Sequence, residues 1–298
     1  MTHAREPGDR RPIGISPDSW GVWFAEDPRQ PAWADFLDGA RATGYGAVEL
    51  GPLGYLPTDA ATLKRELGSR ELRLSGAFVA VNLAAAARGE VPEAVLAAAR
   101  LTAAADGEHM LVMDEPYVNL MTGSRTRPED PMDDRHEVAD GLSRLVERFA
   151  TLGLQTVLHP HPFTAVSSAA DIDAVLSAVD QLELCVDLGQ LIYVGADPVQ
   201  VATDWLPRVS VVHLKDANED AIRMAKERGL PFVITLAAGL FTELGRGSAD
   251  LAGLVRSLGG RAWPGWWVVE QPLYPVAGAN HERSAAMNAR AFARVLDG

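Results

Sequence analysis

Polar side chains stand at the ends of apolar runs in the second half of the chain. His159 and His161 end the run in TVLHPHPF, Asp187 follows LCV, His213 follows VSVV, and Glu270 follows WWVV. A carboxylate in an apolar run costs free energy unless it is paired or bound to a metal ion. Imidazole and carboxylate ligands together suit Mn²⁺, Co²⁺, Fe²⁺ or Zn²⁺ better than Ca²⁺. These segments therefore predict a divalent metal site, provided that the fold brings them together.

Each of these residues also has a structural explanation when it is taken alone. A histidine at the end of a strand is often only hydrogen-bonded, Asp187 is placed to cap the following turn, and Glu270 is placed to pair with an arginine. Four such positions on successive strands favour a shared site over four separate explanations.

The elements that would position these residues alternate regularly along the chain. Apolar strand-like runs are predicted at 13–16, 47–50, 72–77, 110–113, 155–159, 182–187, 209–214 and 265–270. Helical stretches rich in alanine and leucine lie between them, for example 33–43, 92–105, 135–152 and 250–258, and 282–296 closes the chain. Strands separated by amphipathic helices are parallel and joined by crossovers. Eight such units in 298 residues predict a single-domain α/β fold, the (β/α)₈ TIM barrel.

The competing fold is a doubly wound sheet, which would show a Gly-rich phosphate turn after an early strand, and the sequence has none. We place the barrel at residues 13–298 and expect residues 1–12, which are charged, to form a flexible tail. The stretches 114–134 and 217–246 exceed ordinary βα loops, and we expect extra helix in the second. Barrel active sites lie at the C-terminal ends of the strands, where all the polar residues named above fall.

Bulk properties exclude several classes of function. The net charge of −13 argues against a nucleic-acid partner. No run of 18 apolar residues occurs and the N-terminus lacks a signal-peptide pattern, so neither a membrane span nor secretion is expected and the predicted location is cytoplasmic. The single cysteine, Cys185, lies in LELCVDL and is predicted to be a buried strand residue rather than a reactive thiol.

From residue 13 to residue 296 the chain resembles the xylose-isomerase-like TIM barrels, a superfamily of sugar isomerases and epimerases. Within that group it is most similar to the inosose-dehydratase-like members. The resemblance is carried by the order and spacing of seven segments: GISPDSWG, VELGPLGYLP, LHPHPFT, CVDLGQLIYVGADP, VVHLKD, GLFTELGRGSAD and GWWVVEQ.

The resemblance implies one divalent metal ion, with Mn²⁺ expected first, held by His159, Asp187, His213 and Glu270. The fifth strand usually supplies one ligand, and His161 is the alternative to His159 because residues i and i+2 share a face of a strand. Many relatives read Asp-x-Gly-His after the sixth strand, where this chain has Gln190. In the related endonuclease barrels that histidine helps to hold a second metal, so Gln190 argues against DNA repair.

Further polar and aromatic residues follow the predicted strand ends. We expect substrate contacts from Trp20, Asn82, His161 and Gln190. Trp20 and Trp23 both follow the first strand, where a tryptophan either stacks on a sugar or simply packs. For proton transfer the candidates are Glu270 and Glu49, since a base must lie within hydrogen-bond reach of the reacting carbon. Lys215 either polarises a substrate oxygen, takes part in proton transfer or forms a salt bridge at the rim.

The predicted chemistry is proton abstraction next to a carbonyl, with the metal ion stabilising the enediolate that forms. The substrate is predicted to be a small polyhydroxylated ketone or cyclitol. Return of the proton gives epimerisation or isomerisation, and loss of a β-hydroxyl gives the alternative activity, an inosose-type dehydratase. A non-catalytic sugar-binding barrel is a further alternative, and Gln190 is its main support. Barrels of this kind often pair, so a homo-oligomer is among the expected assemblies, although the sequence shows no interface signature.

Overall fold

The computed structural model describes residues 11–127, 135–273 and 280–298. Eight parallel strands form its centre, and the third of them has two parts. The strands are β1 (Gly14–Ile15), β2 (Ala47–Val48), β3 (Arg73–Leu74 and Gly76–Val81), β4 (His109–Asp114), β5 (Gln155–Leu158), β6 (Glu183–Asp187), β7 (Val209–Leu214) and β8 (Trp266–Val269).

The sheet closes on itself at the interrupted third strand. The first part of β3 pairs with β2, and its second part pairs with β4, so that Ser75 alone separates the two ends of the sheet. The backbone N–H of Ser75 donates to Val48 O at 2.9 Å, and that of Leu50 donates to Gly76 O at 3.0 Å. Strand β1 pairs with both β2 and β8, which completes the ring. The predicted fold class, a single-domain (β/α)₈ barrel, is confirmed.

Helices surround the barrel and alternate with its strands. They are α1 (Trp33–Ala42), α2 (Ala60–Gly68), α3 (Leu83–Ala87), α4 (Glu93–Ala104), α5 (Arg135–Ala150), α6 (Ala169–Ala178), α7 (Leu188–Val194), α8 (Pro198–Asp204), α9 (Glu219–Arg228), α10 (Phe232–Ala237), α11 (Leu251–Leu258) and α12 (His281–Asp297). Seven predicted strands and the five predicted helices end within two residues of the observed ones. The third strand continues four residues further than predicted, to Val81.

Alternate strand residues fill the barrel, since successive side chains of a strand point to opposite faces. The interior cluster contains Ala47, Leu111, Val157, Cys185, Val211, Trp266 and Val268, with Phe78 packed against it. The other strand residues face the helices and join a larger shell of buried side chains. Cys185 is fully buried in β6, which confirms the prediction for the single cysteine.

An ion-pair group closes the N-terminal end of the barrel. The carboxylate of Glu108 accepts from Arg11 Nε at 3.1 Å, from Trp266 Nε1 at 3.2 Å and from Arg73 at 3.4 Å. Residues 1–10 of the predicted tail lie outside the described residues, and Arg11 is already fixed by this contact. The ring of His109 lies just inside, where a Cβ at Gly76 would approach it within 2.4 Å.

Extra structure covers the C-terminal end. After β7 the chain forms a short antiparallel pair, Asp216–Ala217 with Phe241–Thr242, and helices α9 and α10, which confirms the extra helix expected there. In the other long stretch, 114–134, the residues 128–134 lie outside the described part, and the remainder contains a bridge between Val118 and Arg125. Among the described residues no helix has the length and apolar composition needed to span a membrane.

Candidate metal and active site

Four strand ends deliver the predicted ligands to one place. His159 directly follows β5, Asp187 is the last residue of β6, His213 lies in β7, and Glu270 directly follows β8. Asp187 also caps α7, since its Oδ1 accepts from the backbone N–H of Gln190 at 2.9 Å. That bond orients the carboxylate so that Oδ2 faces the other ligand atoms.

The ligand atoms of these residues converge. His159 Nε2 lies 3.2 Å from His213 Nδ1 and 3.3 Å from Asp187 Oδ2. His213 Nδ1 lies 3.5 Å from Asp187 Oδ2 and 2.5 Å from Glu270 Oε2. All four atoms lie within 4.8 Å of one another. Two ligands bound to one ion at about 2.0–2.2 Å lie roughly 3 Å apart, so the spacing fits a single metal ion.

Several of the contacts between these ligand atoms are not good hydrogen bonds. Two ring nitrogens, His159 Nε2 and His213 Nδ1, face each other, and one of them must carry a hydrogen if no ion is bound. Glu270 Oε2 has no hydrogen bond of good geometry although it is buried. Ring nitrogens and carboxylate oxygens that point at one spot, with only Lys215 Nζ beside the carboxylates as a donor, are an arrangement that a cation satisfies. The residues present therefore fit a divalent ion with imidazole and carboxylate ligands.

His161 takes a different position from His159. Its Nδ1 lies 2.7 Å from the carbonyl oxygen of Pro162, and its ring stacks against that of His159 with centroids 6.2 Å apart. Of the described residues, the groups that fit an ion include His159 and not His161. Burial lowers the pKa of His161 to about 3, so the ring is neutral at the cavity wall.

Glu49 supports the site from β2. Its Oε1 lies 3.0 Å from His213 Nε2, on the side of the ring away from the converging atoms. A carboxylate bonded to the second nitrogen of a ligating histidine fixes the ring's orientation and raises its basicity. Glu49 is therefore a positioning residue for His213 as well as a residue of the cavity wall.

Lys215 is buried between two of the carboxylates. Its Nζ lies 2.8 Å from Asp187 Oδ2 and 2.8 Å from Glu270 Oε2. Burial alone would lower the pKa of Lys215, but Asp187 and Glu270 raise it above its ordinary value. Burial would conversely raise the pKa of Asp187 and of Glu270, but the charge of Lys215 holds both below their ordinary values. The group is therefore a charged triad.

Asp18 is a site residue that the sequence interpretation missed. It lies in the short 3₁₀ helix Pro17–Trp20 after β1, lines the cavity, and shares a hydrogen bond with Glu270. Burial and the nearby charge of Glu270 raise the pKa of Asp18 well above its ordinary value. The raised pKa favours the protonated form of Asp18, which is the form that can donate to Glu270. Its signal was visible, because it follows a strand end as the other site residues do.

A second group of atoms also fits a metal ion by distance: His159, Cys185 and His213. Burial raises the pKa of the Cys185 thiol, which therefore keeps its proton. A protonated thiol is a poor ligand, since metals bind the thiolate. The group with Asp187 and Glu270 is the better candidate.

A cavity of about 370 Å³ opens above these residues. Gln190 lines it with a buried amide whose Oε1 has no hydrogen-bond partner, and Trp23 lines it from the loop after β1. Two of the predicted substrate contacts, Trp20 and Asn82, are not among the described residues that line it. Trp20 packs in the core against Phe36, with ring centroids 5.4 Å apart. Asn82 caps α3, where its side chain accepts from the backbone N–H of Ala85.

Fold and site together define a TIM barrel with a metal-type ligand cluster at its C-terminal mouth. A family model described as a xylose isomerase-like TIM barrel matches residues 37–294. The chain belongs to that family.

Several curated relatives are named inosose dehydratase. An inosose dehydratase from Clostridium botulinum (strain Alaska E43 / Type E3) is 27% identical over 275 residues, which cover 90% of this chain and 91% of the relative. An inosose dehydratase from Bacillus cereus (strain 03BB102) is 25% identical over 295 residues, which cover 95% of this chain and 96% of the relative.

Solved structures with the same fold include both dehydratases and epimerases. The probable 3-DHS dehydratase AsbF from Bacillus anthracis has a TM-score of 0.70 and 16% identity, covering 94% of this chain and 98% of that chain. L-ribulose 3-epimerase has a TM-score of 0.68 and 14% identity, covering 96% of this chain and 95% of that chain. D-allulose 3-epimerase from Methylomonas sp. in complex with D-allulose has a TM-score of 0.65 and 17% identity, covering 96% of each chain.

Proposed function

We propose that this protein is a metal-dependent isomerase or epimerase that moves a proton next to the carbonyl of a small polyhydroxylated ketone or cyclitol. One observation carries the proposal: the ligand atoms of His159, Asp187, His213 and Glu270 converge within 4.8 Å of one another beneath a cavity. Relatives that are named as dehydratases and epimerases of sugar-like compounds support the same class of enzyme.

In this proposal His159, Asp187, His213 and Glu270 hold one divalent ion, with Mn²⁺ as the metal first tested. A bound ion supplies Lewis acidity, which stabilises negative charge on substrate oxygens. Glu49 keeps the ring of His213 in place, and Lys215 neutralises part of the charge of Asp187 and Glu270.

In this proposal one of two carboxylates moves the proton. Glu49 and Glu270 both line the cavity, and the low pKa of Glu270 keeps it ionised, although it also makes that carboxylate a weaker base. Lys215 stays protonated because its pKa is raised, so it serves as a fixed positive charge and donor rather than as a base. Asp18, which donates to Glu270, assists by stabilising the ionised form of that carboxylate.

A dehydratase is the second candidate, and the curated relatives favour it because they are named inosose dehydratase. Both activities begin with the same proton abstraction. They differ in whether the proton is returned or a β-hydroxyl leaves.

The test is incubation of the Mn²⁺-loaded protein in D₂O with a panel of inososes and ketohexoses, followed by NMR. Deuterium entering one carbon next to the carbonyl identifies the proton site, and an epimer or an unsaturated product separates the two activities. Glu270→Gln is expected to abolish the exchange. A protein that takes up no divalent ion and exchanges no proton with any ketone would instead be the non-catalytic binding barrel.

A further inference from the structure

The cavity has two chemically different halves. Strands β5 to β8 present the metal-type ligands, while β3 and β4 present Phe78, Ala80 and Met113 to the same cavity. In a ring of eight strands, each strand faces the one four positions away. Phe78 and Ala80 therefore lie across the barrel from His213, and Met113 lies across from Glu270.

Loops from different sides of the barrel add apolar side chains to the mouth of the cavity. Leu120 from the loop after β4, Phe232 from α10 and Trp23 from the loop after β1 all line the cavity. The backbone N–H of Val233 donates to Leu120 O at 3.1 Å, which joins two of these loops. Phe163 packs edge-on against Phe232 with centroids 6.2 Å apart. The apolar mouth is thus packed rather than formed by a few loose side chains.

Positive charge is scarce in the cavity. Among its lining residues that the structure describes, there is no lysine or arginine. Lys215, just behind the wall, is bound to two carboxylates. Arg127, a cation on the described part of the loop after β4, forms an ion pair with buried Asp114 at 2.8 Å. A phosphate or carboxylate on the substrate would find no charge-assisted donor among these described residues.

We infer that the substrate is an uncharged ketone whose oxygen atoms are confined to the half that meets the polar residues, with deoxy or otherwise apolar carbon on the other half. The inference rests on the proposed function and narrows its substrate class. A hydroxyl forced against Phe78, Ala80 and Met113 would lose its bonds to water and gain none. An apolar pocket disfavours an added hydroxyl by about tenfold to a hundredfold.

The experiment compares an inosose with the analogue that lacks the hydroxyl on the ring carbon opposite the carbonyl. Deuterium exchange is measured for both in the Mn²⁺-loaded protein, together with a ketohexose 6-phosphate. Calorimetry with the corresponding inositol and deoxyinositol reports binding without turnover. The deoxy member of each pair is expected to be favoured by about tenfold or more, and the phosphate ester is expected to be neither bound nor exchanged.

Met113→Gln places an amide in the apolar wall at nearly constant volume and is expected to reduce or reverse the preference for the deoxy compounds. Met113→Leu, its apolar match, keeps the wild-type ratio. Exchange that is fastest for the fully hydroxylated ketone in wild type and in Met113→Gln alike overturns the inference and leaves the proposed function standing, as does equal turnover of the phosphate ester. Absence of both exchange and binding for every compound overturns the proposed function and the inference with it.

Discussion

Both ends of the barrel contain a cluster of charged groups. The two clusters differ in how many hydrogen-bond donors the protein supplies to their carboxylates. At the N-terminal end the carboxylate of Glu108 receives donors from Arg11, Arg73 and Trp266. At the C-terminal end the carboxylates of Asp187 and Glu270 meet one lysine and two histidine rings, and several contacts lack hydrogen-bond geometry.

The difference separates a cluster that the protein completes by itself from the one that we propose to be functional. A carboxylate whose donors are all supplied by the protein stabilises the fold and has no capacity left for a ligand. Acceptors that converge without enough donors raise the free energy of the folded protein until something else satisfies them. Similar residue types thus give a closure at one end of the barrel and a site at the other.

The largest expected effect tests the cluster of Asp187, His213 and Glu270 at the C-terminal end of the barrel. Asp187→Asn and His213→Ala each remove a ligand and are expected to abolish metal binding and lower proton exchange on the order of a thousandfold or more. The fold should survive, because an asparagine side chain can still cap α7 and the barrel core is untouched. Elemental analysis, D₂O exchange and circular dichroism measure the three properties. Global unfolding of both variants would mean that the two ends play the same structural role.

The cluster around Glu108 at the N-terminal end of the barrel should show the opposite pattern, with an effect on stability and none on metal binding. Glu108→Gln leaves Arg11 and Arg73 without their anion and is expected to lower the free energy of unfolding by roughly 1–3 kcal/mol, since the group is only partly buried. Metal content and exchange rate should stay at wild-type values. Urea unfolding gives the stability, and loss of metal from this variant would contradict the separation of the two ends.

The pH dependence of stability gives a further test at the N-terminal end of the barrel. Burial lowers the pKa of His109 from its ordinary 6.5 to about 3. Between those values the unfolded chain binds a proton that the folded protein does not, so the free energy of unfolding falls as the pH falls, by about 1.4 kcal/mol per unit. His109→Leu should remove that part of the slope in urea titrations between pH 6.5 and 4.5. It should leave the metal content unchanged, and an unchanged slope would show that His109 is not buried in the neutral form.

The smallest expected effect concerns Gln190. Its backbone N–H holds Asp187, and that bond survives in Gln190→Ala. The lost side chain contributes at most one hydrogen bond to substrate, about 0.5–1.5 kcal/mol or roughly tenfold in rate. Steady-state kinetics measure this directly. A loss of a thousandfold would give the amide a direct role in catalysis and extend the functional cluster beyond the converging atoms.

Much of the fold could be predicted because buried parallel strands read as apolar runs, and their polar ends mark one edge of the barrel. The interruption at Ser75 could not, since the predicted strand 72–77 runs through it, and only the pairing of its two parts with different neighbours reveals the break. Trp20 and Trp23 illustrate a similar limit. Both follow the same strand, and only packing against Gly39, where a Cβ would meet the Trp20 ring at 2.9 Å, decides which one turns inward.

Other errors were avoidable from local rules. Asn82 precedes the helical run LAAAA, which is a capping pattern and competes with a role in binding. Asp18 was visible as an acid directly after a predicted strand. The choice between His159 and His161 was not, because it depends on a bond between His161 and the carbonyl of its own neighbour, Pro162.

Because the single cysteine is fully buried inside the barrel, the rate at which its thiol is labelled can be used to measure the opening of this fold. Cys185 lies in the interior cluster, and no other thiol in the chain competes with it. A thiol reagent can reach it only when the strands part, so its labelling rate under native conditions measures how often the barrel opens. Adding a divalent ion should slow that labelling, and the logarithm of the rate should fall in proportion to the free energy with which the ion stabilises the closed form. The same sulfur that is too well buried to serve as a ligand thus reports on ligand binding through the kinetics of exposure.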